Sequence, residues 1–192
     1  MHKRRSNGGM TLLELLLASA AVALIGLAIV SMLFAVSYGT SSSDELRKLA
    51  VRSKSLNNRI GAAVRGSKMI LDQGADFVVL WTRDLNEDGV PSLLEIRRLQ
   101  RDDDDSELFN YVADGGAPDT VYALTDDFDA ITTALMGTAD FPGELWSTGV
   151  TGWDITLDDA DPQLSTLVAY QMTLLVDGFS DVAINTVAVR SE

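Results

Sequence analysis

The distribution of hydrophobic residues divides the chain into an apolar N-terminal part and a mixed remainder. Leu15 to Tyr38 contains no charged residue, and these 24 residues extend over roughly 36 Å as an α-helix. That length crosses the ~30 Å hydrocarbon core of a bilayer and exceeds the ~7–15 apolar residues of an ordinary secretory signal. The pattern predicts one transmembrane helix within residues 10–38.

A short basic segment precedes this helix. Lys3, Arg4 and Arg5 place the N-terminus in the cytoplasm by the positive-inside rule. The rest of the chain is then expected on the periplasmic or extracytoplasmic side of the inner membrane. On hydropathy alone, a plain single-pass anchor explains this segment.

After the span, apolar and polar positions follow the spacing of a helix. Apolar or small residues recur every three or four positions and form one stripe: Leu46, Leu49, Ser53, Leu56, Ile60 and Val64. Residues 39–66 are therefore predicted to be an amphipathic continuation of the helix, which runs from about Met10 to Arg65 with a break or bend near Tyr38-Gly39. Basic residues crowd this segment. They favour anionic lipid or an acidic neighbour, or they form a solvated helix face.

Residues 67–192 have the pattern of a β-rich head. Runs of Val, Leu, Ile, Tyr and Phe bounded by Gly, Asp or Pro predict strands. These runs are 68–71, 77–82, 95–99, 108–112, 120–124, 167–176 and 182–189. Residues 177–180 predict a hairpin connection between the last two strands. Residues 126–166 are interpreted as loops with a short helix at 129–136, and Asp102 to Asp105 as a solvated turn. The predicted fold class is α+β.

Composition excludes several kinds of chemistry. The chain has no cysteine, and its one histidine is His2, in the basic segment before the span. Disulfides, thiolate metal sites and a cysteine nucleophile are therefore excluded, and a Ser-His-Asp triad or a histidine-based zinc site beyond that segment is excluded as well. The net charge is −13, which disfavours nucleic-acid binding by the head. We expect the protein not to be an enzyme.

The start of the apolar run carries a distinctive motif. It reads Gly8-Gly9-Met10-Thr11-Leu12-Leu13-Glu14 and puts a single carboxylate into an otherwise apolar helix. At the bilayer centre a charged residue costs roughly 2.5–3.5 kcal/mol. Such a carboxylate needs a partner in low dielectric, unless it lies close enough to the membrane edge to stay hydrated.

This segment resembles the class III leader of type IV pilins and type II secretion pseudopilins. The resemblance implies that a prepilin peptidase cuts between Gly9 and Met10, that Met10 is N-methylated, and that Glu14 pairs with the N-terminal amine of a neighbouring subunit. It also implies a pilin-like fold, in which a long N-terminal helix packs on an antiparallel β-sheet head. The proline that many of these proteins carry in the span is missing, and Ser31 stands near its place.

A second motif lies at residues 84–95. Asp84-Leu85-Asn86-Glu87-Asp88-Gly89-Val90-Pro91-Ser92-Leu93-Leu94-Glu95 fits the twelve-residue EF-hand loop pattern. Ca²⁺ takes six to eight oxygen ligands. The expected ligands are the side chains of Asp84, Asn86, Asp88 and Glu95, the Val90 carbonyl, and Ser92 through water. A β-like run precedes the loop and no second loop follows. The pattern therefore predicts a lone structural calcium site between two strands; the alternative is an acidic turn without metal.

Two classes of function stay open at this point. In the first, the protein is a structural subunit of a type II secretion pseudopilus, most similar to a J-type minor pseudopilin, with other pilin or pseudopilin subunits as partners. A competence or adhesion pilus subunit is the nearest rival. The second class is a membrane-anchored extracytoplasmic calcium-binding module. Gly9 and Glu14 favour the first class, because an anchor alone needs neither.

Overall fold

The computed structural model describes the backbone of residues 11–189 and the side chains of residues 11–36 and 44–189. The fold is α+β. Its elements are α1 (Leu12–Arg65), β1 (Met69–Gln73), β2 (Phe77–Trp81), β3 (Ile96–Asp102), β4 (Glu107–Val112), α2 (Phe128–Leu135), β5 (Gly143–Thr148), β6 (Val150–Leu157), β7 (Leu167–Val176) and β8 (Phe179–Ala188). The chain divides between Glu45 and Leu46 into two compact units.

The first unit is the apolar part of α1. Leu12–Val36 is long and apolar enough to cross a membrane, and none of this segment is buried. Its two hydroxyl-bearing side chains bond back into the helix. Ser19 Oγ donates to Leu16 O at 2.9 Å, and Ser31 Oγ donates to Leu27 O at 2.7 Å. Hydroxyls satisfied within the helix suit an apolar surrounding, where an unpaired polar group is costly.

Helix α1 is continuous through Tyr38-Gly39, so of the predicted break or bend the break is excluded. The physical reason lies in the residue types. Glycine weakens a helix interior by only about 1 kcal/mol relative to alanine. Neither residue removes a backbone N–H group, as a proline would.

In the second unit, one face of α1 is buried. Leu49, Leu56, Ile60 and Val64 contribute to the core, as the stripe predicts. Leu46 is the exception, because its side chain is 49% exposed. The buried part of the stripe therefore begins one turn later than the sequence pattern indicates.

The strands form two antiparallel sheets. The first has five strands in the order β1-β2-β3-β4-β5, and the second has three in the order β6-β7-β8. The chain passes from one sheet to the other at Gly149, which has φ +75°. A Cβ atom at this glycine would lie 2.3 Å from the Leu175 carbonyl oxygen. The corner therefore requires glycine.

Two hydrophobic cores lie on opposite faces of the first sheet. The larger core combines the buried face of α1 with residues of both sheets, including Val78 and Leu80 of β2. The smaller core contains Val79 and Trp81 of the same strand together with Phe128 of α2. Because side chains alternate along a strand, β2 contributes to both cores and is buried on both sides.

The strand predictions are mostly confirmed, with three corrections. Strand β7 coincides with residues 167–176, and α2 lies at the predicted short helix. Residues 120–124 form no strand, since only Val121 makes an isolated bridge, to Ser92. Residues 143–157 form strands β5 and β6 rather than loops. The last hairpin is also tighter than expected: Val176 pairs with Phe179, so the turn has two residues.

Candidate functional site

Glu14 has a partner within its own chain. The Thr11 backbone N–H donates to Glu14 Oε2 at 2.9 Å, and the Glu14 N–H donates to Thr11 Oγ1 at 3.3 Å. The Thr11 hydroxyl also donates to Glu14 Oε2, at 3.2 Å. These are the reciprocal bonds of a capping box, with Thr11 at the N-cap of α1 and Glu14 three residues later. The carboxylate thus caps the first turn of the helix, where the helix dipole also favours negative charge.

The predicted processing residues lie outside the described residues. The structure begins at Thr11, whereas Gly9 and Met10 precede it. The cleavage site and the methylated residue therefore remain predictions from the sequence.

The loop 84–95 connects β2 to β3 and is folded around Asp84. The Asp88 N–H donates to Asp84 Oδ1 at 3.2 Å, and the Gly89 N–H donates to Asp84 Oδ2 at 3.0 Å. Gly89 has φ +77°, a conformation that glycine adopts without strain. The first carboxylate of the motif therefore organises the backbone of the turn behind it.

The middle of the loop faces solvent. Asn86 and Asp88 are exposed, and the Asn86 side-chain amide donates to Asp88 Oδ2 at 2.9 Å. Asp88 Oδ1 accepts the Val90 N–H at 2.9 Å. These short-range bonds keep the polar side chains of the loop close together.

Glu95 is buried at the base of the loop. Its carboxylate accepts three N–H groups: Trp81 Nε1 at 3.1 Å, Ser92 N at 3.1 Å and Leu85 N at 2.5 Å. Ser92 is buried too, and it bridges to Val121. The last carboxylate of the motif therefore closes the loop by hydrogen bonds to protein donors.

The Lys68 ammonium forms an ion pair with Asp84. Lys68 Nζ lies 2.9 Å from Asp84 Oδ2 and 4.1 Å from the centroid of a Trp81 ring. The hydrogen bond from Lys68 lowers the pKa of Asp84 below its ordinary value, and the Gly89 and Asp88 N–H groups lower it further. Asp84 is therefore ionised at neutral pH, and its cationic partner comes from the start of β1.

The loop provides the oxygen ligands that Ca²⁺ prefers, but its carboxylates are not grouped around one point. Asp84, Asn86 and Asp88 are hard-oxygen ligands on one turn. Among the side chains that the structure describes, no three His, Cys, Asp or Glu residues are grouped to hold a metal ion. Metal binding by the complete motif requires Glu95 to exchange its N–H donors for the ion and Lys68 to leave Asp84.

Three residues of these sites were not predicted from the sequence. The capping role of Thr11 was readable, because Thr11-Leu12-Leu13-Glu14 has the spacing of a capping box. Lys68 and Trp81 carry no local signal. Lys68 meets the loop because β1 pairs with β2, and its N–H donates to the Trp81 carbonyl at 2.8 Å. Trp81 meets Glu95 because β2 pairs with β3, where Trp81 lies opposite Ile96.

Comparison with known proteins identifies no relative. No protein-family model matches the chain, and neither the curated proteins nor the solved structures contain a match.

Proposed function

We propose that this protein is a pilin-like filament subunit anchored in the inner membrane. The observation that carries the proposal is the combination of a fully exposed apolar helix, Leu12–Val36, with one carboxylate in its first turn. A plain anchor can use that carboxylate only as the helix cap that it forms with Thr11. Its position, three residues after Thr11 and five after the predicted cleavage site, matches the glutamate of pilin-like subunits.

The head supports the same proposal. Within the second unit, the C-terminal part of α1 packs its apolar face on antiparallel strands, with Leu56 and Ile60 among the core residues. A helix laid on an antiparallel sheet is the arrangement that the pilin resemblance implies. The role we propose is mechanical, a minor pseudopilin of a type II secretion pseudopilus, processed by a prepilin peptidase and packed among sister subunits.

Glu14 has two explanations that one experiment separates. If the carboxylate serves only to cap α1, Glu14→Gln is tolerated, because glutamine also completes a capping box. If it pairs with the amine of a neighbouring subunit, Glu14→Gln loses the counter-charge while retaining the cap. Thr11→Ala is the matched control, since it removes the cap hydroxyl, at a cost of about 0.5–2 kcal/mol, and keeps the charge.

The experiment measures incorporation into sheared filaments or into complexes with sister subunits. We expect Glu14→Gln to be cleaved and membrane-inserted but poorly incorporated, and Thr11→Ala to be incorporated close to the unmodified level. Normal incorporation of Glu14→Gln contradicts the pairing role and leaves Glu14 as a helix cap.

A competence or adhesion pilus subunit remains the second candidate, since the leader motif and Glu14 serve any filament of this type. Co-purification decides between the two. Association with type II secretion components supports the pseudopilus, and association with a DNA-uptake or adhesion system supports the rival.

We also propose that the loop 84–95 binds Ca²⁺ in exchange for the Lys68 ammonium. The supporting observation is that Asp84 already holds a cation on a turn that carries Asn86 and Asp88. The ligands are those of the motif: Asp84, Asn86, Asp88, the Val90 carbonyl, Ser92 through water, and Glu95. The ion's contribution is structural, to cross-link the connection between β2 and β3.

A further inference from the structure

The charges of the head are segregated. Residues 46–65 of α1 contain six basic and no acidic residues, whereas residues 67–192 contain six basic and 25 acidic residues. One helical segment of an acidic protein is therefore purely cationic. We call its six basic residues the cationic stripe: Arg47, Lys48, Arg52, Lys54, Arg59 and Arg65.

Among the residues that the structure describes, the cationic stripe forms no ion pair. All its members except Arg52 are exposed. Arg52 donates to Thr148 Oγ1 at 2.6 Å, a neutral acceptor. Among the described side chains, the ion pairs involve only Lys68, Arg98 and Arg101 as cations. The stripe therefore presents its charge to whatever lies outside the chain.

A solvated helix face usually mixes both signs, because opposite charges three or four residues apart stabilise a helix. Here Lys48 and Arg52 are like charges at that spacing, which costs the helix a few tenths of a kcal/mol. From Arg47 to Arg65 the stripe extends over about 27 Å, about three Debye lengths at physiological salt. A single counter-charge cannot neutralise it, so the natural partner is a surface that presents several carboxylates close together.

The head itself provides such a surface at the turn between β3 and β4. Asp103, Asp104 and Asp105 are exposed there. Asp103 pairs with Arg101, but the carboxylates of Asp104 and Asp105 have no partner among the described side chains. The turn is thus a cluster of carboxylates that can accept a cationic helix from another molecule.

We propose that the cationic stripe of one copy docks on the acidic turn Asp102–Asp105 of a second copy of this chain. The two surfaces are different patches of one molecule, so the contact is heterologous. A heterologous contact that does not close into a ring propagates as an open helical filament. The proposal does not depend on cleavage after Gly9 or on Glu14, so its failure leaves the filament proposal standing.

Anionic lipid fits the cationic stripe less well. A helix that lies in a membrane surface buries its apolar face among the lipids. The apolar face of residues 46–65 is already used, since Leu49, Leu56 and Ile60 are buried in the head. Lipid could therefore attract the stripe by charge alone, without insertion.

The test is zero-length carbodiimide cross-linking of the full chain in neutral detergent. Unlabelled and ¹⁵N-labelled chains are mixed, so that mass spectrometry distinguishes links between copies from links within one. We expect mixed-isotope links from Lys48 or Lys54 to carboxylates of Asp102–Asp105, reduced about fivefold or more when salt rises from about 0.05 to 0.5 M.

Charge reversal supplies the matched variants. Asp104→Lys should reduce these links, and Asp119→Lys, an equally exposed carboxylate away from the turn, should not. The double variant Lys48→Glu, Lys54→Glu lacks the reactive amines, so cross-linking cannot report its effect. We expect two copies of the unmodified chain to form a salt-sensitive dimer in sedimentation and this variant to lose it. Combining that pair with Asp104→Lys and Asp105→Lys should restore the dimer. The proposal is overturned if Asp104→Lys leaves the yield of mixed-isotope links unchanged. It is also overturned if the stripe binds anionic vesicles and no link forms between copies.

Discussion

The two units of this chain differ in how far their apolar side chains are exposed. In Leu12–Val36, all 15 large apolar side chains are between 49 and 81% exposed. In the head, the continuation of the same helix keeps Leu49, Leu56 and Ile60 at 3% exposure or less. The head thus completes its own core, whereas the apolar side chains of Leu12–Val36 are left uncovered.

The magnitude of this contrast is large. Burying one large apolar side chain is worth about 1.5–3 kcal/mol. Fifteen such side chains in contact with water form an apolar surface that favours association with lipid or with another apolar surface. The first unit is therefore built for a surrounding that the single chain does not supply.

The strongest test of this difference between the units is a Leu→Ala substitution in each of them. Leu56→Ala removes a side chain that is 2% exposed, and we expect it to destabilise the head by about 2–5 kcal/mol. Leu24→Ala, at a position 69% exposed, should leave head unfolding unchanged in detergent. Urea denaturation of the full chain, followed by the fluorescence of the head tryptophans, measures both. Equal effects of the two substitutions contradict the division into a self-sufficient head and a dependent helix.

Within the head, the loop 84–95 is the segment that we expect to gain stability from a bound ion, Ca²⁺. With Ca²⁺ at about 100 times its Kd, the free energy of unfolding should rise by about 2.7 kcal/mol, if the unfolded chain does not bind the ion. Asp84→Ala and Glu95→Gln should remove most of this gain. Mg²⁺ should substitute poorly, because it requires a tighter octahedral shell.

The substitution Lys68→Met tests whether Ca²⁺ competes with the Lys68 ammonium for Asp84. Removing a partly buried ion pair of this kind changes the free energy by about 0.2–1 kcal/mol, so Ca²⁺ should bind about 1.4- to fivefold more tightly. Asp103→Asn is the control and should leave the gain intact. Thermal melts of the full chain at millimolar calcium read out all variants. If melts with and without calcium coincide, or if Asp103→Asn abolishes the gain while Glu95→Gln retains it, the site is an acidic turn.

A further test lies at the corner between the two sheets. Gly149→Ala places a Cβ atom against the Leu175 carbonyl at a residue with positive φ, and we expect it to destabilise the head by about 1–3 kcal/mol. Gly137→Ala is the matched control, since Gly137 has the same φ of +75° but no atom within 4 Å of its added Cβ. The difference in urea midpoint between the two variants isolates the clash from the backbone conformation. Equal midpoints would show that Leu175 moves away at no cost.

The sequence predicted elements well where one pattern dominated. The buried stripe of α1 and strand β7 have clear periodicity, and both are found where expected. Strands β5 and β6 were missed because Gly143, Gly149 and Gly152 look like turn residues. In the fold, Gly152 lies at a bulge opposite Thr173, and Gly149 is the corner between sheets. Close packing of the backbone, which no local pattern encodes, selects glycine at these positions.

The candidate sites were predictable only as far as they are local. The spacing of Asp84, Asn86 and Asp88 indicated a turn that offers oxygen ligands, and the structure places all three on one turn. The hydrogen bond from Trp81 to the buried Glu95 depends on the pairing of β2 with β3, and the ion pair of Asp84 with Lys68 depends on the pairing of β1 with β2. Contacts between residues far apart in the sequence were beyond what spacing alone predicts.

The processing of the N-terminus tests the central claim most directly. The measurement is the intact mass and N-terminal peptide of the protein from cells with an active prepilin peptidase, with Gly9→Val as the uncleaved control. The account predicts loss of residues 1–9 and one added methyl group on Met10, and a full-length precursor for Gly9→Val. A mature protein that still begins at Met1 in those cells contradicts the pilin-like assignment.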